Sequence, residues 1–220
     1  MTAPILHCDF ETHSVLDLKE VGLWNYVRHP STDVWCMAWA LGDDDPKVWL
    51  PQAYTKLPPN EVVSHITGGD VVIAHNAPFE LEIWNEIMAR RYGWPRLAPE
   101  QTYCTLAQCY ATGLPGGLED AALALGLPVL KDIEGRTLML RMARPRRFDG
   151  NIPVWWNDPD KLARLYAYCQ QDVRVERELH KRLLPLSTKE RRVQLMDWVI
   201  NTRGVAVDLE TAKAGAAMAE

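Results

Sequence analysis

A chain of 220 residues with 47% hydrophobic and 24% charged side chains can bury one sizeable core, and it holds no uncharged apolar run long enough for a membrane span. Its net charge of −5 and pI near 5.7 lack the basic footprint of most nucleic-acid-binding modules, although residues 1–120 carry −9 and residues 121–220 carry +4. Five cysteines (Cys8, Cys36, Cys104, Cys109, Cys169) without a C-x-x-C pair read as reduced thiols of a cytoplasmic protein, and the N-terminus lacks the basic region of a signal peptide.

In chain order, Pro4–Glu11 is apolar until it meets Asp9 and Glu11, which predicts a buried strand ending in carboxylates. Val34–Leu41 and Lys47–Leu50 flank an acidic turn and predict a hairpin. Asp70–Ala74 predicts a short strand, followed by a break at His75–Pro78 and a helix over 79–92. A further short strand is predicted at Thr102–Thr105, then helices over 105–111, 118–125 and 131–142. A long helix over 159–184 starts behind Asn157/Asp158 with Pro159 in its first turn. The pattern implies an α/β fold, a mixed sheet with helices on its faces. Residues 187–220 read as a separate element: a helix over 188–201, a strand at Val205–Val207, and a helix capped by Asp208 that the sequence leaves in mid-course, so a longer protein is expected.

Four places carry chemistry. Asp9 and Glu11 are two apart on a strand and so share one side of the sheet, where they repel unless a cation lies between them; two solvated acids at a strand end explain them equally well. Glu80 sits where a buried strand runs into a helix, a position that the helix dipole alone favours, and Glu82 would serve that purpose as well. Tyr168 and Asp172 are four apart and stack on one helix face beside the apolar stripe of Leu162, Leu165, Cys169 and Val173, or form a surface pair. Arg141, Arg144, Arg146 and Arg147 can meet phosphates, but basic residues at a helix end are ordinary.

Taken together and in order, D-x-E on a first strand, H-N-A-x-F-acid after a later strand and Y-x-x-x-D on a late helix resemble the DEDDy 3′→5′ exonucleases of the ribonuclease H-like superfamily. Lys131-Asp132-x-x-Gly135 and Tyr26-x-x-His29-Pro30-Ser31 are similar to the version carried by bacteriophage family A DNA polymerases, and Ile200–Asp208 is similar to the entry into their polymerase module. The resemblance covers about residues 1–186 and implies a ribonuclease H-like mixed sheet there, with 187–220 leading toward a polymerase module whose own catalytic motifs are absent. One position departs from the pattern: the second motif normally ends in aspartate, and here stands Glu80.

The resemblance implies hydrolysis of phosphodiester bonds at the 3′ end of single-stranded DNA, with two Mg²⁺ or Mn²⁺ ions held by Asp9, Glu11, Glu80 and Asp172. It implies that Asp9 bridges both ions, that Glu80 reaches the second through its longer side chain or a water, and that Tyr168, acidified by the ions, orients and activates the attacking water. Phe10, Thr12, His75, Asn76 and Phe79 would meet the substrate, with Phe79, Leu23 or Trp24 stacking on terminal bases. For a phage protein the location is the host cytoplasm. Two other readings stay open: a ribonuclease D-like exoribonuclease, because the same residues cut RNA, and a non-catalytic nucleic-acid-binding module, which would be expected to have lost these carboxylates.

Overall fold

β1 (Leu6–His13) occupies the middle of a five-stranded sheet. In the computed structural model, which describes residues 4–51, 56–128 and 132–219, β1 pairs antiparallel with β2 (Asp33–Leu41), and β2 pairs antiparallel with β3 (Lys47–Trp49). On its other side β1 runs parallel to β4 (Val72–Ala74), which runs parallel to β5 (Thr102–Cys104). The order β3-β2-β1-β4-β5, with β2 alone running against the rest, is a mixed sheet flanked by helices, the α/β arrangement expected.

Strand alternation decides what each face of β1 meets. Leu6, Cys8 and Phe10 enter the main core with Met37, Trp39, Leu81, Trp84 and Ile87. The odd-numbered residues face the other way, Asp9 opposite Ala38 and Glu11 opposite Cys36. Cys36, Ala38 and Ala40 on that face are small, and the long helix α8 (Pro159–Arg182) packs its Cys169 and Val173 directly on them. Between Glu11 and Thr12 the register shifts by one residue, leaving Trp35 unpaired on β2. That bulge turns Trp35 toward Met142 and Leu165, with its indole N–H donating to the Met142 carbonyl at 3.0 Å.

α1 (Leu18–Arg28) and α2 (Asn60–Thr67) lie between strands where no helix was predicted. α1 has little periodicity and is kinked at Gly22, whose φ of 74° is left-handed, whereas α2 buries Val62, His65 and Ile66 in an ordinary amphipathic pattern. α3 (Ala77–Ile83) starts two residues before the predicted helix and continues through a π-helical turn (Trp84–Ala89) into α4 (Arg90–Tyr92). α5 (Thr105–Ala111), α6 (Leu118–Ala124) and α7 (Ile133–Met142) fall where expected, with Lys131 outside the described residues. An unpredicted hairpin of β6 (Arg147–Asp149) and β7 (Ile152–Val154) precedes α8 (Pro159–Arg182). Asp158 caps α8, accepting from the Lys161 N–H at 3.3 Å.

α9 (Thr188–Arg203) is tied to the body by Arg191, which donates to the Pro99, Glu100 and Thr102 carbonyls, and by Trp198. The expected strand at Val205–Val207 is absent: the segment is irregular and pairs with no described strand, and Val205 is 92% exposed. Alternating valines predict a strand only where a sheet edge can accept it. α10 (Leu209–Ala219) follows, with Asp208 accepting from the Glu210 and Thr211 N–H groups at 3.1 Å. No helix among the described residues is long and apolar enough to cross a membrane.

Candidate active site

Three distant segments meet at one cavity of about 680 Å³. β1 brings Asp9 and Glu11, the first turn of α3 brings Glu80, and α8 brings Asp172; Tyr168, one turn earlier on α8, lies beside Asp172. Glu11, Glu80 and Tyr168 are 7%, 5% and 7% exposed, while Asp9 and Asp172 are half-buried. α3 can deliver Glu80 because Asn76, ahead of the helix, adopts the left-handed conformation (φ 68°, ψ 44°), alone among the described non-glycine residues. Asparagine tolerates that conformation better than most side chains, and such strain concentrates at functional sites.

The carboxylates are held in one another's field. Burial, and then the charge of Glu176, push Asp9 up to about 6. Burial and then Asp9 push Asp172 up to about 8. Burial first and Asp9 second also raise Glu11 and Glu80. Glu80 Oε2 is buried with no hydrogen-bond partner among the described residues, an expensive arrangement for an acid that nothing is to complete. A divalent cation would relieve both the repulsion and the orphaned oxygen, and carboxylate oxygens are the donors hard cations prefer. The residues therefore fit Mg²⁺ or Mn²⁺.

Tyr168 lies against Asp172, and burial, then Asp172 and Glu11, raise its hydroxyl above the ordinary tyrosine range. Of the other expected contacts, Asn76 and Phe79 line the cavity. Thr12 does too, its hydroxyl 3.0 Å from that of Tyr26. Phe10 touches the cavity wall, but its ring sits edge-on to Trp84 in the core at 6.1 Å. His75 is engaged elsewhere: its ring nitrogens lie 3.0 Å from Thr105 Oγ1 and 2.8 Å from the Gly116 carbonyl, so it anchors the end of β4. Leu23 and Trp24 line a neighbouring cleft against α9 that meets the first cavity at Asn76.

Glu82 is not a solvated dipole partner. It is 7% exposed and accepts from the Trp198 indole at 3.2 Å, pointing toward α9 and leaving Glu80 to face the carboxylates. Of the arginines, Arg144 reaches the cavity mouth and pairs with Asp17 across it, and Lys19 lines the same mouth.

Two contributors escaped the sequence reading. Cys169, assigned only to the apolar stripe, places Sγ 3.3 Å from Asp9 Oδ2. Gly135 has a role because a Cβ there would lie 2.6 Å from the Tyr168 ring and 2.4 Å from Asp132 Oδ2, so a side chain would displace the tyrosine or the Asp132 cap of α7. Its spacing from Asp132 was the available signal. In Tyr26-x-x-His29-Pro30-Ser31, Tyr26 lines the cavity, while Ser31 is scaffold, its Oγ bonding His29, Ser14 and the Val15 N–H.

No protein-family model matches the sequence. The chain is 33% identical over 219 residues to a DNA polymerase of Bacillus phage SP02, an alignment covering 94% of this chain. It spans 32% of that relative's length. Among solved structures it is similar to Brucella melitensis NrnC with bound Mg²⁺, with a TM-score of 0.49, 17% identity, and 89% of this chain and 81% of that chain covered. A second structure of Brucella melitensis NrnC gives a TM-score of 0.45 at 16% identity, with the same coverage of each chain.

Proposed function

We propose that this chain is a metal-dependent 3′→5′ exonuclease domain of the DEDDy kind, acting on the 3′ end of single-stranded DNA. The observation that carries the reading is the convergence of Asp9, Glu11, Glu80 and Asp172, from three separate segments, on a single cavity, with Tyr168 held against Asp172. Similarity to part of a phage DNA polymerase supports DNA as the substrate and proofreading as the task, with residues 1–186 as the nuclease and 187–220 as its connection to a polymerase module.

Divalent cations held by Asp9, Glu11, Glu80 and Asp172 would supply positive charge to the attacking and leaving oxygens of the phosphodiester. The chain's own residues do the positioning. Asp9 is central, fixed from behind by the Cys169 thiol and facing both Glu80 and Asp172. The Tyr168 hydroxyl, held against Asp172, orients the attacking water. Phe79 offers a ring at the cavity wall for the terminal base to stack on, and Lys19 and Arg144 put positive charge beside the strand's phosphates at the mouth.

The test is digestion of 5′-labelled single-stranded DNA and RNA oligomers of equal sequence with Mg²⁺. Expected are products shortened from the 3′ end, release of 5′-mononucleotides, faster cleavage of DNA, and arrest by chelator. Release of the 5′ label in the first product, or cleavage indifferent to chelation, overturns the reading, and faster cleavage of RNA reassigns the substrate.

A further inference from the structure

We propose that the Cys169 thiol is a latent ligand of the Asp9–Glu11 site, through which thiophilic cations such as Zn²⁺ and Cd²⁺ bind and block it. The proposal rests on the reading of this cavity as a divalent-cation site. One donor atom each from Asp9, Glu11 and Cys169 lie within 4.8 Å of one another. The Cys169 sulfur is fully buried, 3.3 Å from Asp9 Oδ2 and 3.5 Å from the Asp9 carbonyl. Independently, Glu80 Oε2, buried and unpartnered among the described residues, lines the same cavity and offers a further oxygen to whatever binds there.

Cation softness decides which donors are used. Mg²⁺ and Mn²⁺ prefer carboxylate oxygen, so with them the thiol keeps its proton and remains a hydrogen-bond donor to Asp9. Zn²⁺ and Cd²⁺ bind thiolate strongly: the S–H proton passes to the buffer, a sulfur–metal bond forms, and the hydrogen bond to Asp9 is lost. A metal held by sulfur as well as oxygen exchanges poorly for Mg²⁺. The carboxylate that organises the site is then fixed in a complex unsuited to hydrolysis. Cys36, opposite Glu11 on the neighbouring strand, also lies beside Cys169 but is not one of the three donors that fall within 4.8 Å of one another.

The experiment titrates the metal-free full chain with Cd²⁺ and records the near-ultraviolet absorption of thiolate-to-cadmium charge transfer, a readout independent of cleavage. A band that saturates with one cadmium ion per chain is expected, abolished by Cys169→Ser and Cys169→Ala and retained by Cys36→Ser. Two replacements are used so that a folding defect in one, seen by circular dichroism, leaves the other to decide. In parallel, each protein's Mg²⁺-dependent cleavage is compared with its own uninhibited rate. The Cd²⁺ needed for half inhibition should rise at least about 10–100-fold in the Cys169 variants, the loss that follows removal of even an outer-shell partner of a metal ligand. No band in the parent, or a band that survives both replacements, overturns the inference. A band from a protein that never cleaves nucleic acid overturns the proposed function alone, and cleavage without a band overturns this inference alone.

Discussion

Asp172 and Glu176 lie one turn apart on α8, both directed at the sheet, and the fold treats them in opposite ways. Glu176 is 3% exposed and is joined to His7 of β1 at 2.6 Å, with both side chains sealed from solvent. His7 packs 5.9 Å from the ring of His180, whose own nitrogen meets Gln108 at 3.0 Å. Asp172 has instead a tyrosine hydroxyl and a ring of other carboxylates, and remains open to the cavity. One acid fastens α8 to β1. The other is held at a cost in free energy that the Tyr168 hydrogen bond only partly offsets, the arrangement typical of groups kept for chemistry. The strut matters to the site because it sets the distance between the strand of Asp9 and the helix of Asp172.

The contrast can be broken at several points. Asp172→Asn or Asp9→Asn should reduce Mg²⁺-dependent cleavage by at least ~10³-fold, since metal-borne charge stabilisation is worth several kcal/mol. The same variants should melt higher than the parent in chelator, because a buried, repelled carboxylate has been removed; calorimetry showing a lower melting temperature would refute the account of their strain. Removing one member of the strut should do the reverse. Glu176→Leu is expected to lose roughly 3 kcal/mol by chemical denaturation, whereas the double His7→Leu, Glu176→Leu variant should recover most of it, because a buried pair is replaceable by packing but half a pair is not. If the double variant is as unstable as the single one, the pair is more than a strut.

Tyr168→Phe sharpens the comparison without touching a charge. Misplacing the attacking water should slow single-turnover cleavage by ~10²-fold while oligonucleotide affinity holds, and an unchanged rate would make the tyrosine structural. The smallest effect is expected at Glu82→Gln, which weakens the bond to Trp198 and should cost about 1 kcal/mol in stability with no change in rate. Glu80→Gln should slow cleavage and leave the α9 contact intact. An inverted outcome for this pair would mean that the second-motif acid had been assigned to the wrong residue.

Much of this was legible in the sequence because the relevant periods are short. Two-residue alternation was enough to put Asp9 and Glu11 on one face, and four-residue spacing to stack Tyr168 with Asp172. Five strands and the long helix followed from apolar runs bounded by turn residues. What escaped depends on partners distant in sequence. α1 lacks a clear apolar stripe and is broken at Gly22, so local pattern had nothing to register. The β6–β7 hairpin has exposed residues along β6, and Glu82 read as solvated because only α9, more than a hundred residues later, buries it. Cys169 read as packing because its neighbours in sequence are apolar contacts, while Asp9 comes from the far end of the chain. Val205–Val207 failed for the converse reason: its local signal was strong, and no strand among the described residues receives it.

The bulge at Trp35 divides the β1–β2 hairpin into two stretches that respond differently to insertions and deletions. On the Leu6–Glu11 side pairing is regular, and losing a residue from β1 ahead of Asp9 would turn both acids into the core that Leu6, Cys8 and Phe10 now fill. Beyond Glu11 one additional residue has already been absorbed, so a change of length at Trp35 realigns only the Thr12–His13 end of the strand, leaving both acids facing α8. The joint protects the acids from length variation at the rim of the sheet, and the reach and shape of the cavity mouth can change there independently of its floor.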